Sequence, residues 1–198
     1  LMEKGSQFTV QERLQLFKLI GELIAGLIPR YKKLQENGQI EISSTPHYHP
    51  ILPLLLDFKS TRDAMPFAPL PACNSYPGGR LRAKAHIESA KKSHQKRFGE
   101  LPVGMWPAEG AVSHAGLSLL AEQGISWAAT GEGVLANSLH KSSETGAIGA
   151  RNDYLYRPYQ VTNGVKDIVE IQIGLDGIAF AESTGGPNLK LTPVDVYR

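Results

Sequence analysis

The chain has 198 residues, the size of one domain, and 21 lysines and arginines against 19 acidic residues give a net charge of +2. With 41% hydrophobic and 20% charged residues it is close to the globular average, so the composition indicates neither a disordered nor a fibrous protein. This charge balance provides neither a broad basic field for nucleic acid nor an acidic field for cations. The lone Cys73 cannot form an internal disulfide.

A long helix is predicted to begin near Val10. Thr9 followed by Glu12 has the spacing of a capping box, and apolar residues then recur at helical spacing. The most apolar run, residues 19–28, is too short to span a bilayer, and we interpret it as a buried helix. Pro29 is expected to kink or restart this helix.

The opening stretch, "LMEKGSQFTV", carries no secretory signal, and we expect a cytoplasmic protein. It starts as a segment cut from a longer chain would. The sequence contains nothing that predicts an oligomeric state.

Strand and helix patterns alternate through the middle of the chain. Strands are predicted at residues 39–43, 102–106 and 125–130, and helices at 81–99 and 111–124. This alternation with short connections is typical of right-handed βαβ units around a parallel sheet. The predicted fold class is therefore α/β, with the sheet either open or closed into a barrel.

The clear pattern fades after residue 161. Residues 167–175, "DIVEIQIGL", could form one strand, and glycine-rich sequence follows. We therefore assign residues 1–161 to one domain and leave 162–198 as a segment that could continue it. The sequence does not support a separate second domain.

Glu109 lies between a predicted strand and the next predicted helix, where parallel α/β folds place reactive side chains. Together with Trp106 it forms Trp-x-x-Glu. This pattern suits sugars, because an indole stacks on the apolar face of a pyranose while a carboxylate acts on the anomeric carbon. The alternative is a core tryptophan and a glutamate favoured by the helix dipole.

Glu41 stands between isoleucines in the first predicted strand, which a sheet covered on both faces would bury. One interpretation is a carboxylate at the mouth of the sheet that accepts hydrogen bonds from a polyhydroxy substrate or a catalytic partner. The other is an edge position or an internal salt bridge.

His47 and His49 form a His-x-His pair that could seed a metal site. Flanking prolines favour an irregular loop, and no cluster of further ligands stands nearby, so we predict no metal and assign His49 to hydrogen bonding or substrate contact. No phosphate-binding glycine loop is present, so no nucleotide cofactor is predicted. The basic helix at residues 84–98 is interpreted as a solvated face, and no nucleic-acid partner is expected.

Two long segments, "GQIEISSTPHYHPILPLL" (residues 38–55) and "GMWPAEGAVS" (residues 104–113), closely resemble signature segments of glycoside hydrolase family 57, the α-amylase-like and glucanotransferase enzymes of α-glucans. The stretches "RFGELPVGMWPAE", "GISWAATGEGVL" and "LYRPYQV" are similar to that family's spacers in the same order. The resemblance covers residues 1–161.

The resemblance implies part of a (β/α)7 barrel and a retaining mechanism on an α-glucan or malto-oligosaccharide. It places the nucleophile at Glu109 and substrate contacts at Trp106, Glu41 and His49. Retention requires a second carboxyl group about 5 to 5.5 Å from the first.

The chain departs from the family pattern in three places. An early His-Gln-Pro segment, expected before Leu1, is missing, and Gly131 stands where relatives often have an aspartate. The acid/base aspartate of the family is matched only faintly by Asp176, in "LDG" with Ile178 where a glutamate is usual.

Three functions remain open from the sequence. The first is a retaining glycosidase whose acid/base residue is either absent or not identified in the sequence. The second is a non-catalytic remnant that still holds a glucan on Trp106 and Glu41. The third, a metal-dependent deacetylase-like barrel, would need an aspartate near the histidines, and the closest, Asp57 and Asp63, lie beyond a proline-rich turn.

Overall fold

A computed structural model describes residues 4–73, 75–155, 157–162 and 167–173. The helices of these ranges are α1 (Val10–Glu36), α2 (Leu52–Leu56), α3 (Thr61–Ala64), α4 (Gly79–Phe98), α5 (His114–Glu122), α6 (Glu132–Ser142) and α7 (Arg151–Tyr154), with short 3₁₀ turns at Phe58–Ser60 and Ala108–Gly110. The strands are β1 (Gly104–Met105), β2 (Trp127–Gly131), β3 (Pro158–Thr162) and β4 (Asp167–Ile173).

Helix α1 begins where the capping box predicts. The Thr9 hydroxyl accepts a hydrogen bond from the Glu12 backbone N–H at 3.2 Å, and the Glu12 carboxylate accepts one from the Thr9 N–H at 2.6 Å. No second helix starts at Pro29, because α1 continues through it to Glu36. The proline removes one backbone hydrogen bond, and the chain is helical on both sides of it.

The predicted burial of residues 19–28 is wrong. No residue of α1 is buried, and apolar side chains such as Leu19, Leu23 and Ile24 are each more than a third exposed. Helical periodicity specifies that a helix has an apolar face, but tertiary structure decides what covers that face. Among the described residues, no helix is both long enough and apolar enough to cross a membrane.

The four strands form one sheet in the order β1-β2-β4-β3. β1 pairs with β2 and β2 with β4 in parallel, whereas β3 is antiparallel to β4. Helix α5 connects β1 to its parallel neighbour β2, which is the predicted βαβ unit. The α/β class is therefore confirmed, with an antiparallel edge strand.

The predicted strand at residues 39–43 is wrong in its extent. Residues 39–43 form no strand, and only Ser44, just beyond them, pairs with β1, in a single parallel bridge to Met105. The Ser44 N–H donates to the Gly104 carbonyl at 3.1 Å, and the Trp106 N–H donates to the Ser44 carbonyl at 2.7 Å.

The core lies between the sheet and helices α2, α4 and α5. Its fully buried side chains are Leu52, Ile87, Met105, Leu119, Leu120, Ile125 and Ile168. Helix α4 ends as predicted at Gly99, whose φ of 92° is the left-handed conformation of a glycine C-cap. This packing fixes the directions of β1 and β2, and with them the position of the loops that follow.

Candidate functional site

The carboxyl ends of the parallel strands meet at one edge of the sheet. Ser44, β1 and β2 run in the same direction, so the residues that follow them leave the sheet on the same side. In parallel α/β folds this edge carries the reactive groups. The loops at 45–49, 106–110 and 131–132 therefore border the candidate site.

Glu109 lies on a tight turn whose two preceding residues are buried in the core. Pro107 and Ala108 are buried, whereas the Glu109 side chain is 73% exposed. Its backbone is left-handed, with φ 57° and ψ 18°, which costs a residue with a Cβ on the order of 1–3 kcal/mol. Such strain persists only where the surroundings impose it, so the turn sets the direction in which the Glu109 side chain leaves the backbone.

Gly110 is the reason that this turn can lie against β2. Its φ is 61°, and a Cβ at this position would lie 2.9 Å from the backbone nitrogen of Gly131. The Thr130 hydroxyl also donates a hydrogen bond to the Gly110 carbonyl at 3.4 Å. The loop that carries Glu109 is thereby tied to the carboxyl end of the neighbouring strand.

His49 faces Glu109 from the loop after Ser44. Its Nδ1 lies 3.9 Å from Glu109 Oε1, within reach of an ion pair but longer than a hydrogen bond. His49 is also left-handed, with φ 56°, and its N–H donates to the carbonyl of the buried Pro46 at 3.1 Å. Two strained residues from separate loops thus bring an imidazole to a carboxylate.

Trp106 follows β1 directly, and its side chain is 38% exposed. Its backbone is bound to Ser44, so the residue is held between the two loops that carry His49 and Glu109. The structure therefore brings three of the four predicted site residues, Trp106, Glu109 and His49, to one edge. Their chemical roles stay predictions.

Glu41 lies toward the other end of the sheet, beside Trp127 at the start of β2. It is exposed, and its Oε1 accepts a hydrogen bond from Trp127 Nε1 at 2.6 Å. Glu41 precedes Ser44 by three residues, which in extended chain is about 10 Å toward the amino ends of the strands. Of the alternatives that the sequence left open, the edge position is the one observed, and the Trp127 indole is the partner of Glu41. Contact between Glu41 and a substrate stays a prediction.

The histidines of His-x-His have different partners. His47 Nδ1 forms a hydrogen bond with Ser89 Oγ at 2.6 Å, whereas His49 faces Glu109. Asp57 caps the 3₁₀ turn through the Lys59 N–H, and Asp63 forms an ion pair with a lysine of α6. In the part of the chain that the structure describes, no three His, Cys, Asp or Glu side chains are placed to hold one metal ion.

One ion pair at this edge was not predicted. Glu132, the first residue of α6 after Gly131, accepts hydrogen bonds from Arg151 Nε at 2.6 Å and Nη2 at 2.7 Å. The Tyr154 hydroxyl donates to the same carboxylate at 3.4 Å. The hydrogen bonds from Arg151 hold the pKa of Glu132 below its ordinary value. Nineteen residues separate the pair, and no local pattern signals it.

The faint match at Asp176 lies outside the described residues. The second carboxyl group of the predicted mechanism therefore stays a prediction from sequence.

Fold and site together define an α/β protein that gathers a carboxylate, an indole and an imidazole at the carboxyl ends of parallel strands. The chain belongs to glycosyl hydrolase family 57, whose family model matches residues 5–173. The resemblance seen in the sequence is thus confirmed. No curated protein sequence matches the chain.

Several solved structures share the fold at low sequence identity. The 4-α-glucanotransferase from Thermococcus litoralis is 19% identical, with a TM-score of 0.51 over 81% of this chain and 20% of its own. The α-amylase AmyC from Thermotoga maritima is 15% identical, with a TM-score of 0.50 over 87% of this chain and 29% of its own. A family 57 branching enzyme from Thermococcus kodakaraensis, solved with glucose, is 16% identical, with a TM-score of 0.50 over 84% of this chain and 29% of its own. The chain spans a fifth to under a third of the length of these relatives.

Proposed function

We propose that this chain is the part of a family 57 (β/α)7 catalytic barrel that carries the nucleophile of a retaining enzyme acting on α-glucans. The observation that carries the proposal is the exposed carboxylate of Glu109, held on a strained turn between the buried Pro107–Ala108 pair and β2. A nucleophile needs such a fixed direction, because the reacting atoms must approach within about 3 to 3.5 Å in line.

Glu109 attacks C1 of a glucosyl unit and forms a β-glycosyl-enzyme, while a second carboxyl group donates a proton to the leaving oxygen. Water then releases the sugar as a hydrolysis product, or the hydroxyl of another sugar releases it as a transfer product. The partly exposed Trp106 ring offers a stacking face, and the imidazole of His49 stands where it can orient the carboxylate or a sugar hydroxyl. Asp176 is the sequence candidate for the proton donor.

The solved relatives are a glucanotransferase, an α-amylase and a branching enzyme. These activities share an α-glucan substrate and differ in the acceptor. We therefore propose hydrolysis or transfer on an α-glucan or malto-oligosaccharide. The pairing of β4 with β2 supports extending the proposed barrel region past residue 161, to the end of the family match at 173.

The test is product analysis of the full chain with maltoheptaose, beside Glu109→Gln and the control Glu144→Gln, which alters an exposed carboxylate on a surface turn. We expect shorter or longer oligosaccharides from the wild type and the control, and a loss of roughly a thousandfold or more in Glu109→Gln. Equal rates in the wild type and Glu109→Gln contradict the role of Glu109. Binding without products in all three proteins would favour the non-catalytic glucan-binding alternative.

A further inference from the structure

Tyr48 presents an aromatic ring to solvent while its neighbours hold it in place. The residue is 83% exposed, although a tyrosine ring is largely apolar. One side of the ring stacks on His47, with centroids 4.5 Å apart and planes 9° from parallel. His86 meets the same ring edge-on at 5.9 Å and 80°. The opposite side of the ring is open.

The His47 imidazole, which stacks on Tyr48, is itself anchored to helix α4. His47 Nδ1 is hydrogen-bonded to Ser89 Oγ at 2.6 Å, and the His47 N–H donates to the His86 carbonyl at 3.1 Å. The backbone of Tyr48 is left-handed, with φ 63°, a strain that in folded proteins concentrates at ligand-binding and catalytic positions. The outward direction of this ring is therefore imposed by contacts, and a ligand would not have to order it.

Tyr48 stands next to the proposed reacting centre. It directly precedes His49, so the two Cα atoms are about 3.8 Å apart, and His49 Nδ1 lies 3.9 Å from the Glu109 carboxylate. Residues 47–49 also line an open cavity of about 520 Å³ between this loop and the carboxyl half of helix α4. A volume of this size accommodates a small ligand or part of a longer one.

We propose that the open face of Tyr48 binds a glucosyl unit of the α-glucan whose neighbouring unit reacts at Glu109. The apolar C–H face of a pyranose stacks on a flat aromatic ring, and the phenolic hydroxyl remains free to hydrogen-bond with sugar hydroxyls. This subsite rests on the proposed function, since it uses the same α-glucan. It adds a second contact surface, on a different loop from Trp106, and thereby makes longer oligosaccharides bind more tightly.

The test measures maltoheptaose affinity of the full chain by titration calorimetry in the wild type and three variants. Tyr48→Asn removes the ring, and asparagine tolerates a left-handed backbone, so this variant retains the fold. Tyr48→Phe keeps the stacking face. The matched control is Tyr31→Ala, which removes a 49% exposed tyrosine from α1, in the part of that helix that leads to the amino ends of the strands.

We expect Tyr48→Asn to bind maltoheptaose roughly five- to tenfold more weakly, with Tyr48→Phe within about twofold of wild type and Tyr31→Ala unchanged. Wild-type affinity in Tyr48→Asn, with the wild-type chain binding the sugar, overturns the Tyr48 subsite and leaves the role of Glu109 standing. A wild-type chain that binds no malto-oligosaccharide overturns the proposed function and this subsite together.

Discussion

Glu109 and His49 face each other across the carboxyl edge of the sheet from two left-handed backbone positions, φ 57° and 56°, with 3.9 Å between Oε1 and Nδ1. Neither residue is a glycine, so both conformations cost free energy that a surface loop could avoid. The two loops belong to separate parts of the sequence, sixty residues apart. Strain at both positions fits the proposed role of these two side chains, because in folded proteins such positions concentrate at active sites and ligand-binding sites.

The first prediction concerns that strain. Glu109→Gly should raise the free energy of unfolding by up to about 1 kcal/mol, because glycine adopts φ 57° without a steric penalty, while its greater freedom in the unfolded chain offsets part of the relieved strain. Urea denaturation measures the change, with Glu109→Gln expected to remain near wild type. If Glu109→Gly is less stable than Glu109→Gln, the turn is not strained in the folded protein.

Trp106→Ala should weaken maltoheptaose binding about tenfold, which is about 1.4 kcal/mol, since a stacking face is lost. Trp106→Phe should retain most of the affinity. Calorimetric titration distinguishes these results from those of a purely structural residue. An unchanged affinity together with a large loss of stability would assign the indole to the core.

Gly104 is required by the indole beside it. A Cβ at this position would lie 1.9 Å from Cε2 of Trp127, so Gly104→Ala must displace the ring or the strand. We expect a loss of about 1–3 kcal/mol in the free energy of unfolding. Gly21→Ala is the control, because nothing lies within 4 Å of its Cβ in helix α1, where alanine should stabilise. Equal stability of the two variants would contradict the contact.

The hydrogen bond between Glu41 and Trp127 should appear as coupling in a double-mutant cycle. With Glu41→Ala, Trp127→Phe and the double variant, we expect a coupling free energy of about 0.5–1.5 kcal/mol. Additive effects would show that the 2.6 Å contact contributes nothing to stability. Maltoheptaose titration of Glu41→Ala tests the substrate contact that the resemblance predicts for this carboxylate.

Glu132 should make stability depend on pH. Its pKa is lower in the folded protein than the ordinary value of 4.5, because Arg151 donates hydrogen bonds to the ionised carboxylate. The stabilisation is therefore fully present above that ordinary value and is lost as the pH falls through the lowered pKa. The stability difference between wild type and Glu132→Gln should shrink below about pH 4.5. Wild type compared with Glu144→Gln provides the control, and a pH-independent difference for Glu132→Gln would contradict the prediction.

Local sequence alone determined the start of α1, the end of α4 and the loop that carries the candidate nucleophile. Three features are found where they were predicted: the Thr9 and Glu12 capping box, the glycine at the end of α4, and the strand-loop-helix order around Glu109. Each depends on residues that are close together in the sequence. Two long motifs were also enough to recognise the family.

Tertiary structure decided which side chains meet. His49 reaches Glu109, and Arg151 reaches Glu132, only because separate loops leave the parallel strands at one edge. It also left the apolar face of α1 exposed, against expectation, and placed Glu41 at the exposed edge position, one of the two alternatives that the sequence had left open. Hydrophobic periodicity and flanking isoleucines describe a side chain's preference for burial, whereas burial itself depends on which distant segment covers that side chain.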